Sequence, residues 1–386
     1  MALHALAPTS GFETLDAPAL LGERAAIDGL ARRGAISVGG SARLLAVGQS
    51  HLALNLPRDE DWQLIPALLE TDRPALVSKR DWSLLAELVA TRSPMDLIER
   101  GRLMGLAIAS AACASTHTGS MFERLHATET QTRPRPARRV RLLDLSSLWA
   151  GPLVTSLLAI AGIEVLKIEG PTRPDGARNG SSPFFDLMNG NKRGCALDLR
   201  EARDRTLFEE LLDSTDIVVE SARPRALAQL GLNASDWVED RPGRIWASIT
   251  GHGRAREWIA FGDDAATAAG LAWSPETSPS SRPRFCADAV ADPLGGLHAA
   301  VVILAHLTQG RGGLLDLSLV DMAAYAASAE NEGLVLPVEW TSEGGSVLER
   351  GQRVPIKAAR ARTTFGAAPR LAPPDAALIS DWTRSC

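Results

Sequence analysis

Four groups of residues in this chain are of a type and spacing that could do chemistry. Asp292, in the run CADAVADPLGGLHAA, stands where a loop enters a helix, beside Gly295 and Gly296. An Asp followed by Pro at a helix start is an ordinary N-cap, and the same helix end can hold a carboxylate fixed for nucleophilic attack. Asp263 and Asp264, in AFGDDAATAAG, are adjacent carboxylates at a second helix start, where acids cap and meet the helix dipole. Asn189, Asn191, Lys192 and Arg193 follow Phe184 and Phe185 in NGNKRG. An ammonium there suits a phosphate as a point charge, although the same run taken alone reads as solvated loop. The fourth group is the turn LWAGP, residues 148–152, whose backbone N–H groups can meet an anionic or polarised group at a helix N-terminus. It lacks the GxGxxG spacing, so the pattern by itself names no ligand.

The elements that must position these groups alternate along the chain. An apolar strand over 140–144 runs through a tight turn at Ala150, Gly151 and Pro152 into an apolar helix, then a second strand ending in Lys167-Ile168-Glu169. Further strands are predicted over 195–199, 216–220, 245–250 and 314–318, with helices over 201–212, 264–273 and 294–307 and another from Val320. This predicts an α/β class: a parallel-sheet, Rossmann-like domain over 140–338. Residues 128–139, TETQTRPRPARR with Val140 next, read as an extended linker because alternating Arg and Pro remove helical options. Before the linker, 39–56 reads as a glycine turn and two strands, DEDWQLIPALLE as a helix, and SPMDLIERGRLMGLAIASA as a helix and short strand. Residues 1–127 are thus a smaller α/β domain, and the Gly-, Arg- and Pro-rich stretch 339–386 a C-terminal arm over the surface.

Composition narrows the function classes. The 386 residues are 45% hydrophobic and 23% charged, ordinary for a folded chain of two domains. A net charge of -5 argues against general nucleic-acid binding. Cys113, Cys195, Cys286 and Cys386 are scattered without metal-like spacing, which fits reduced thiols in a cytoplasm and implies no metal site. Neither a signal peptide nor a membrane-spanning segment is predicted.

In order, LWAGP, VLKIEGP, NGNKRGCALDL, DIVVESARP, ASITGHG and ADPLGGLHAA resemble the class III CoA-transferases, the family of formyl-CoA transferase, carnitine CoA-transferase and α-methylacyl-CoA racemase. The resemblance covers roughly 140–325. It implies a transfer of CoA from an acyl-CoA to a carboxylic acid, with CoA as substrate and no tightly bound cofactor. It implies Asp292 as covalent nucleophile, Asp263 near a second acid–base position, and Leu148, Trp149 and Ala150 beside the thioester. Asn189, Lys192, Arg193, Ser221 and Arg223 would contact CoA. Trp149 stands where the formyl-CoA enzyme has Gln, so the acyl group should differ. Gly170 and Gln229 replace arginines that other members carry, leaving Arg173 and Arg178 as possible substitutes. In the racemase branch a His stands near 261–264; this chain has none there, and His252 and His298, nearby in sequence, read as structural. The N-terminal part resembles the family's small domain placed first, the alternative being an unrelated α+β extension. The family's habit implies an interlocked homodimer. Two rivals stay open: a 2-methylacyl-CoA racemase, and a non-catalytic CoA-binding subunit.

Overall fold

Runs such as VRLLDL and DIVVE are apolar on both faces, which suits strands covered by helices on either side. In the computed structural model, which describes residues 2–7, 11–111, 127–130, 139–272, 282–328, 338–341, 344–349 and 351–384, they form the centre of a seven-stranded sheet. Its strands are β4 (Ala127–Thr130), β5 (Arg141–Leu145), β6 (Glu164–Glu169), β7 (Arg193–Ala196), β8 (Ile217–Glu220), β9 (Ile245–Thr250) and β10 (Gly312–Ser318), in the order β4-β10-β9-β8-β5-β6-β7. Six are parallel and β4 alone is antiparallel, Thr128 opposite Leu314. From β5 the chain builds outward through β6 and β7, then returns to β8 on the other side. The β5/β8 boundary is therefore a topological switch point, the place where open α/β sheets leave a crevice for ligands.

The Ala150–Ile160 helix is apolar all round and buried from Ala150 through Leu158, because it lies between the sheet and the Ala291–Thr308 helix. The opposite face of the sheet packs against the amphipathic Ala202–Asp213 helix and the C-terminal Ala376–Thr383 helix. Trp382 is fully buried there, its indole N–H donating to Leu211 O at 3.2 Å.

A second apolar core belongs to the N-terminal part. Strands β1 (Ala42–Val47), β2 (Ser50–Asn55) and β3 (Ala107–Ser110) form an antiparallel sheet covered by the Asp59–Leu68, Trp82–Val89 and Pro94–Leu103 helices. After the parallel sheet come an antiparallel trio, β11 (Val338–Thr341), β12 (Gly344–Glu349) and β13 (Gln352–Pro355), and a long extended segment.

Several boundaries differ from the sequence reading: the helix expected over 264–273 spans Gly262–Ala268, and the one expected over 294–307 spans Ala291–Thr308. Thr128 to Thr130, expected as linker, pair in the sheet as part of β4; most of the remaining linker, 131–138, lies outside the described residues. The strand expected over 195–199 starts at Arg193 and stops at Ala196, whose N–H turns to Ala372 O of the C-terminal segment at 2.7 Å. Of the cysteines, Cys113 and Cys386 lie outside the described residues, and Cys195 and Cys286 are free thiols.

Candidate active site

The loops after β5, β8 and β9 meet at the switch point and wall a cavity of about 230 Å³. Residues 147–151, 221–223 and 249–251 line it, with 256–261, Asp292, Leu319 and, from the N-terminal part, Arg58.

The turn after β5 is held under strain. Leu148 sits at φ +70, a left-handed conformation that side chains with a β-carbon avoid, and its N–H donates to Asp175 Oδ1 at 2.9 Å. Asp175 is itself paired with the fully buried Lys167 ammonium at 3.0 Å. Gly151 is obligatory, since a β-carbon there would lie 2.2 Å from that of Ser146. Trp149 is the N-cap of the following helix and offers no side-chain cap. The first helical bond runs from Leu153 N–H to Trp149 O, so the Ala150 and Gly151 N–H groups, both on the cavity wall, have no partner among the described residues.

Asp292 lies across the cavity in the first turn of the Ala291–Thr308 helix. The N-cap is Val290, not Asp292, and no side-chain cap bond is made. The capping role that the Asp-Pro sequence suggests is thus absent. Among the described residues the Asp292 carboxylate accepts no hydrogen bond, and its Oδ2 lies against Gly262, where a β-carbon would come within 2.5 Å. The loop that delivers it is strained as well, with Ala287 at φ +52 and Ala289 at φ +44.

Behind Asp292 stand three more carboxylates. Asp263 is buried, and its Oδ1 accepts the Ala289 N–H at 3.1 Å. Asp264 closes a capping box by accepting the Phe261 N–H at 3.0 Å and takes a second bond from Asn55 Nδ2 of β2, also at 3.0 Å. Asp288 is gripped by Arg24, whose Nε donates to Oδ2 at 2.8 Å and whose Nη2 bonds the other oxygen. The Arg24 guanidinium also lies 4.8 Å over the Trp149 ring. Burial pushes the Asp292 carboxyl up to about 7; Asp263, Asp264 and Asp288 add to the rise and Arg24 opposes it. Burial likewise raises Asp264 to about 7 and, with help from the Asp288 charge, Asp263 to about 6. Burial works against the Arg24 charge, but its bonds to Asp288 and the nearby Asp292 and Asp263 outweigh that and raise it. Chemically this is a partly open carboxylate of enhanced basicity, facing a helix N-terminus across a largely apolar cavity.

A family model described as CoA-transferase family III matches residues 138–345, more than half of the chain. The chain belongs to CoA-transferase family III. It is 33% identical over 234 residues to a succinyl-CoA:glutarate CoA-transferase of Mus musculus, covering 55% of this chain and 53% of that one. It is 30% identical over 200 residues to a formyl-CoA:oxalate CoA-transferase of Escherichia coli O6:H1, covering 48% of each. A crystal structure of Rv3272 from M. tuberculosis is 25% identical, covering 56% of this chain and 63% of that one with a TM-score of 0.48. The chain spans about half the length of the curated relatives it matches.

Of the residues expected at the site, the structure brings Leu148, Trp149, Ala150, Ser221, Arg223 and Asp292 to one cavity. Four others it does not: Asn189, Lys192, Arg193 and Asp263. The Lys192 ammonium is fully buried and bonded to Asp144 Oδ2 at 2.9 Å, Asn189 Oδ1 at 2.8 Å and Pro152 O at 3.0 Å, so its three donors are used and no phosphate can reach it. Asn189 is buried, holding Lys192 and the Phe185 carbonyl. Arg193 opens β7 and pairs with Glu164 at the start of β6, at the sheet edge opposite the cavity. Lys192 and its partners instead brace the base of the LWAGP turn. Arg178 is likewise taken, by Glu169. Asp263 does not line the cavity, and its charge adds to the rise of the Asp292 carboxyl. His252 packs on Trp258 and is held neutral, lowered to about 4 by burial and by Arg102 and Arg256. His298 bonds Leu294 O at 2.8 Å, and neither histidine lines the cavity.

Sequence reasoning missed Arg24, Asp288 and Arg58. Arg24 sits in ERAAID, with no motif around it and 264 residues from its partner. Asp288 carried a signal, lying one helical turn before Asp292 in the quoted run.

Proposed function

We propose that the protein moves CoA from an acyl-CoA thioester to a carboxylic acid through a covalent intermediate on Asp292. The observation that carries this is the Asp292 carboxylate itself: free of any capping or hydrogen-bonding duty among the described residues, basic, and open to the cavity. In the first step an Asp292 oxygen adds to the thioester carbonyl, the C–S bond breaks, and CoA thiolate leaves a mixed anhydride. The thiolate then attacks the Asp292 carbonyl carbon of the anhydride, releasing the donor acid and forming an aspartyl-CoA thioester. The acceptor carboxylate attacks that thioester, and the thiolate returns to the acceptor's carbonyl, regenerating Asp292. No net proton moves. The sequence therefore needs one ionised carboxylate and donors for the transient oxyanions, for which the Ala150 and Gly151 N–H groups are placed. Dry surroundings protect the anhydride, and the N-terminal part, as the family's small domain placed first, provides that cover. A homodimer and a cytoplasmic location belong to the same proposal.

Trp149 fills the space between Arg24 and Phe184, whose ring meets it edge-on at 4.9 Å. This apolar wall favours an acyl group with hydrocarbon next to the carbonyl. A panel of acyl-CoA donors and carboxylates, read by mass spectrometry, tests the activity: new acyl-CoA is the expected product. Inversion of a 2-methylacyl-CoA without acceptor-dependent exchange would overturn it.

The first step needs Asp292 ionised, so kcat/KM for the donor is expected to rise with pH through about 7 and level off above it. A profile already flat from pH 5 would mean that the reacting group is an ordinary, solvated carboxylate.

A further inference from the structure

The turn that opens the Ala150–Ile160 helix has its backbone tied down residue by residue. Three successive N–H groups are taken by side chains from three elements. Ser146 N–H donates to Asp144 Oδ1 of β5 at 3.0 Å, Ser147 N–H to Ser221 Oγ after β8 at 3.0 Å, and Leu148 N–H to Asp175 Oδ1 after β6 at 2.9 Å. The Ser146 carbonyl accepts Lys167 Nζ at 2.8 Å, and the same ammonium pairs with Asp175 Oδ2 at 3.0 Å. One fully buried cation thus joins the start of the turn to the carboxylate that holds Leu148. That carboxylate is itself seated: its Oδ1 also accepts the Ala177 N–H at 3.0 Å, and the Asp175 N–H donates to Glu169 Oε2 at 2.9 Å.

Of the three tied residues only Leu148 lies in the left-handed region, at φ +70, a state that leucine avoids and that glycine adopts about as readily as its mirror image. Its side chain is 43% exposed and supplies little packing to keep it there. The hydrogen bond to Asp175 therefore does the holding. Relaxation of Leu148 to a negative φ would rotate the peptide planes beside it and swing the helix start that follows. The Ala150 and Gly151 N–H groups on the cavity wall would lose their aim.

We propose that Asp175, seated by Lys167, is a positioning residue that locks Leu148 in its left-handed state and so aims the Ala150 and Gly151 N–H groups at the reacting carbonyl. Neither Asp175 nor Lys167 lines the cavity, so both act through the turn. What the two donors stabilise rests on the CoA-transfer reading; the clamp rests on the hydrogen bonds to the turn. Donors fixed before the oxyanion forms need no reorganisation when it does, and a strained residue persists only where its surroundings over-determine it. The two buried groups supply that over-determination from the side of the turn away from substrate.

The test combines kcat and KM for CoA transfer with hydrogen exchange at the Leu148 amide, which needs no substrate. Asp175→Ala is expected to lower kcat about a hundredfold with KM little changed, the scale of a lost oxyanion donor, and to speed exchange at Leu148 by about tenfold. Adding Leu148→Gly to Asp175→Ala should restore kcat by about tenfold, because glycine keeps a positive φ without being held there. Exchange at position 148 should stay fast in that double variant, since the acceptor is still missing. A carboxylate that merely braced its own loop would give no such rescue. Should Asp175→Ala unfold around the unpaired Lys167 ammonium, Leu148→Ile in the otherwise native chain carries the test. The β-branched residue resists the left-handed state, and kcat should fall about tenfold in a chain that still folds. Unchanged exchange at Leu148 in Asp175→Ala, no recovery of kcat in the folded double variant, or full kcat in Leu148→Ile would overturn the proposal. A wild type that exchanges Leu148 slowly yet transfers no CoA would instead bring down the CoA-transfer reading, with the clamp still standing.

Discussion

Asp292→Asn is expected to lower turnover by on the order of a thousandfold or more while leaving the fold intact. The amide is isosteric but cannot attack a thioester, and no hydrogen bond to the carboxylate is lost, because none is made among the described residues. Stability should respond in a direction opposite to that of a lost cap. Asp292 has its carboxyl raised by burial to about 7, so its contribution to stability is full below the unfolded value near 4 and is lost as pH rises through about 7. A neutral Asn does not suffer that loss. The variant should therefore gain on the wild type in thermal unfolding as pH rises from about 4 to about 7 and exceed it near pH 8, while remaining inactive throughout. An Asp292→Asn chain that unfolds early at every pH would show that the carboxylate is a structural element.

Arg24 should be the second residue whose loss is felt most, and in two measurements at once. Arg24→Met leaves Asp288 buried and unpaired. A broken buried pair costs about 3–5 kcal/mol, and the lower end applies because Arg24 keeps 27% of its side chain exposed. Destabilisation alone would not separate a positioning role from a structural one. The charge of Arg24 also holds the Asp292 carboxyl down, whereas that of Asp288 holds it up. Arg24→Met should move the inflection of the kcat/KM profile above its wild-type position, and Asp288→Asn should move it below. Shifts in the same direction, or none, would mean that this pair braces the loop without tuning the nucleophile.

The parts of this molecule legible in its sequence are those set by local pattern. Buried strands such as 140–144 and 245–250 declare themselves as apolar runs, and the LWAGP turn and Asp292 as residues at helix starts. What a side chain points at was harder to read. Lys192 looks like a loop cation, yet its partner Asp144 lies 48 residues earlier and draws it into the interior. Asp292 looks like a cap, but after the strained residues at 287 and 289 the helix starts at Ala291, one position before Asp292, with Val290 as its N-cap. Arg24 could not be found by spacing at all, because the chain closes a 264-residue separation to place it on Asp288. The misses at Lys192 and Arg24 concern charged groups whose roles depend on contacts distant in sequence, which no local period encodes.

The claim on which this account turns is that Asp292 becomes covalently acylated. The most direct measurement incubates the protein with a donor acyl-CoA and no acceptor acid, quenches with hydroxylamine, and maps the digested peptides by mass spectrometry. A mixed anhydride or aspartyl thioester is converted by hydroxylamine to the hydroxamate of the residue that carried it. The expected result is a donor-dependent hydroxamate on the peptide containing Asp292, absent from Asp292→Asn. Acceptor-dependent turnover with no adduct, or with the adduct on another residue, would contradict it.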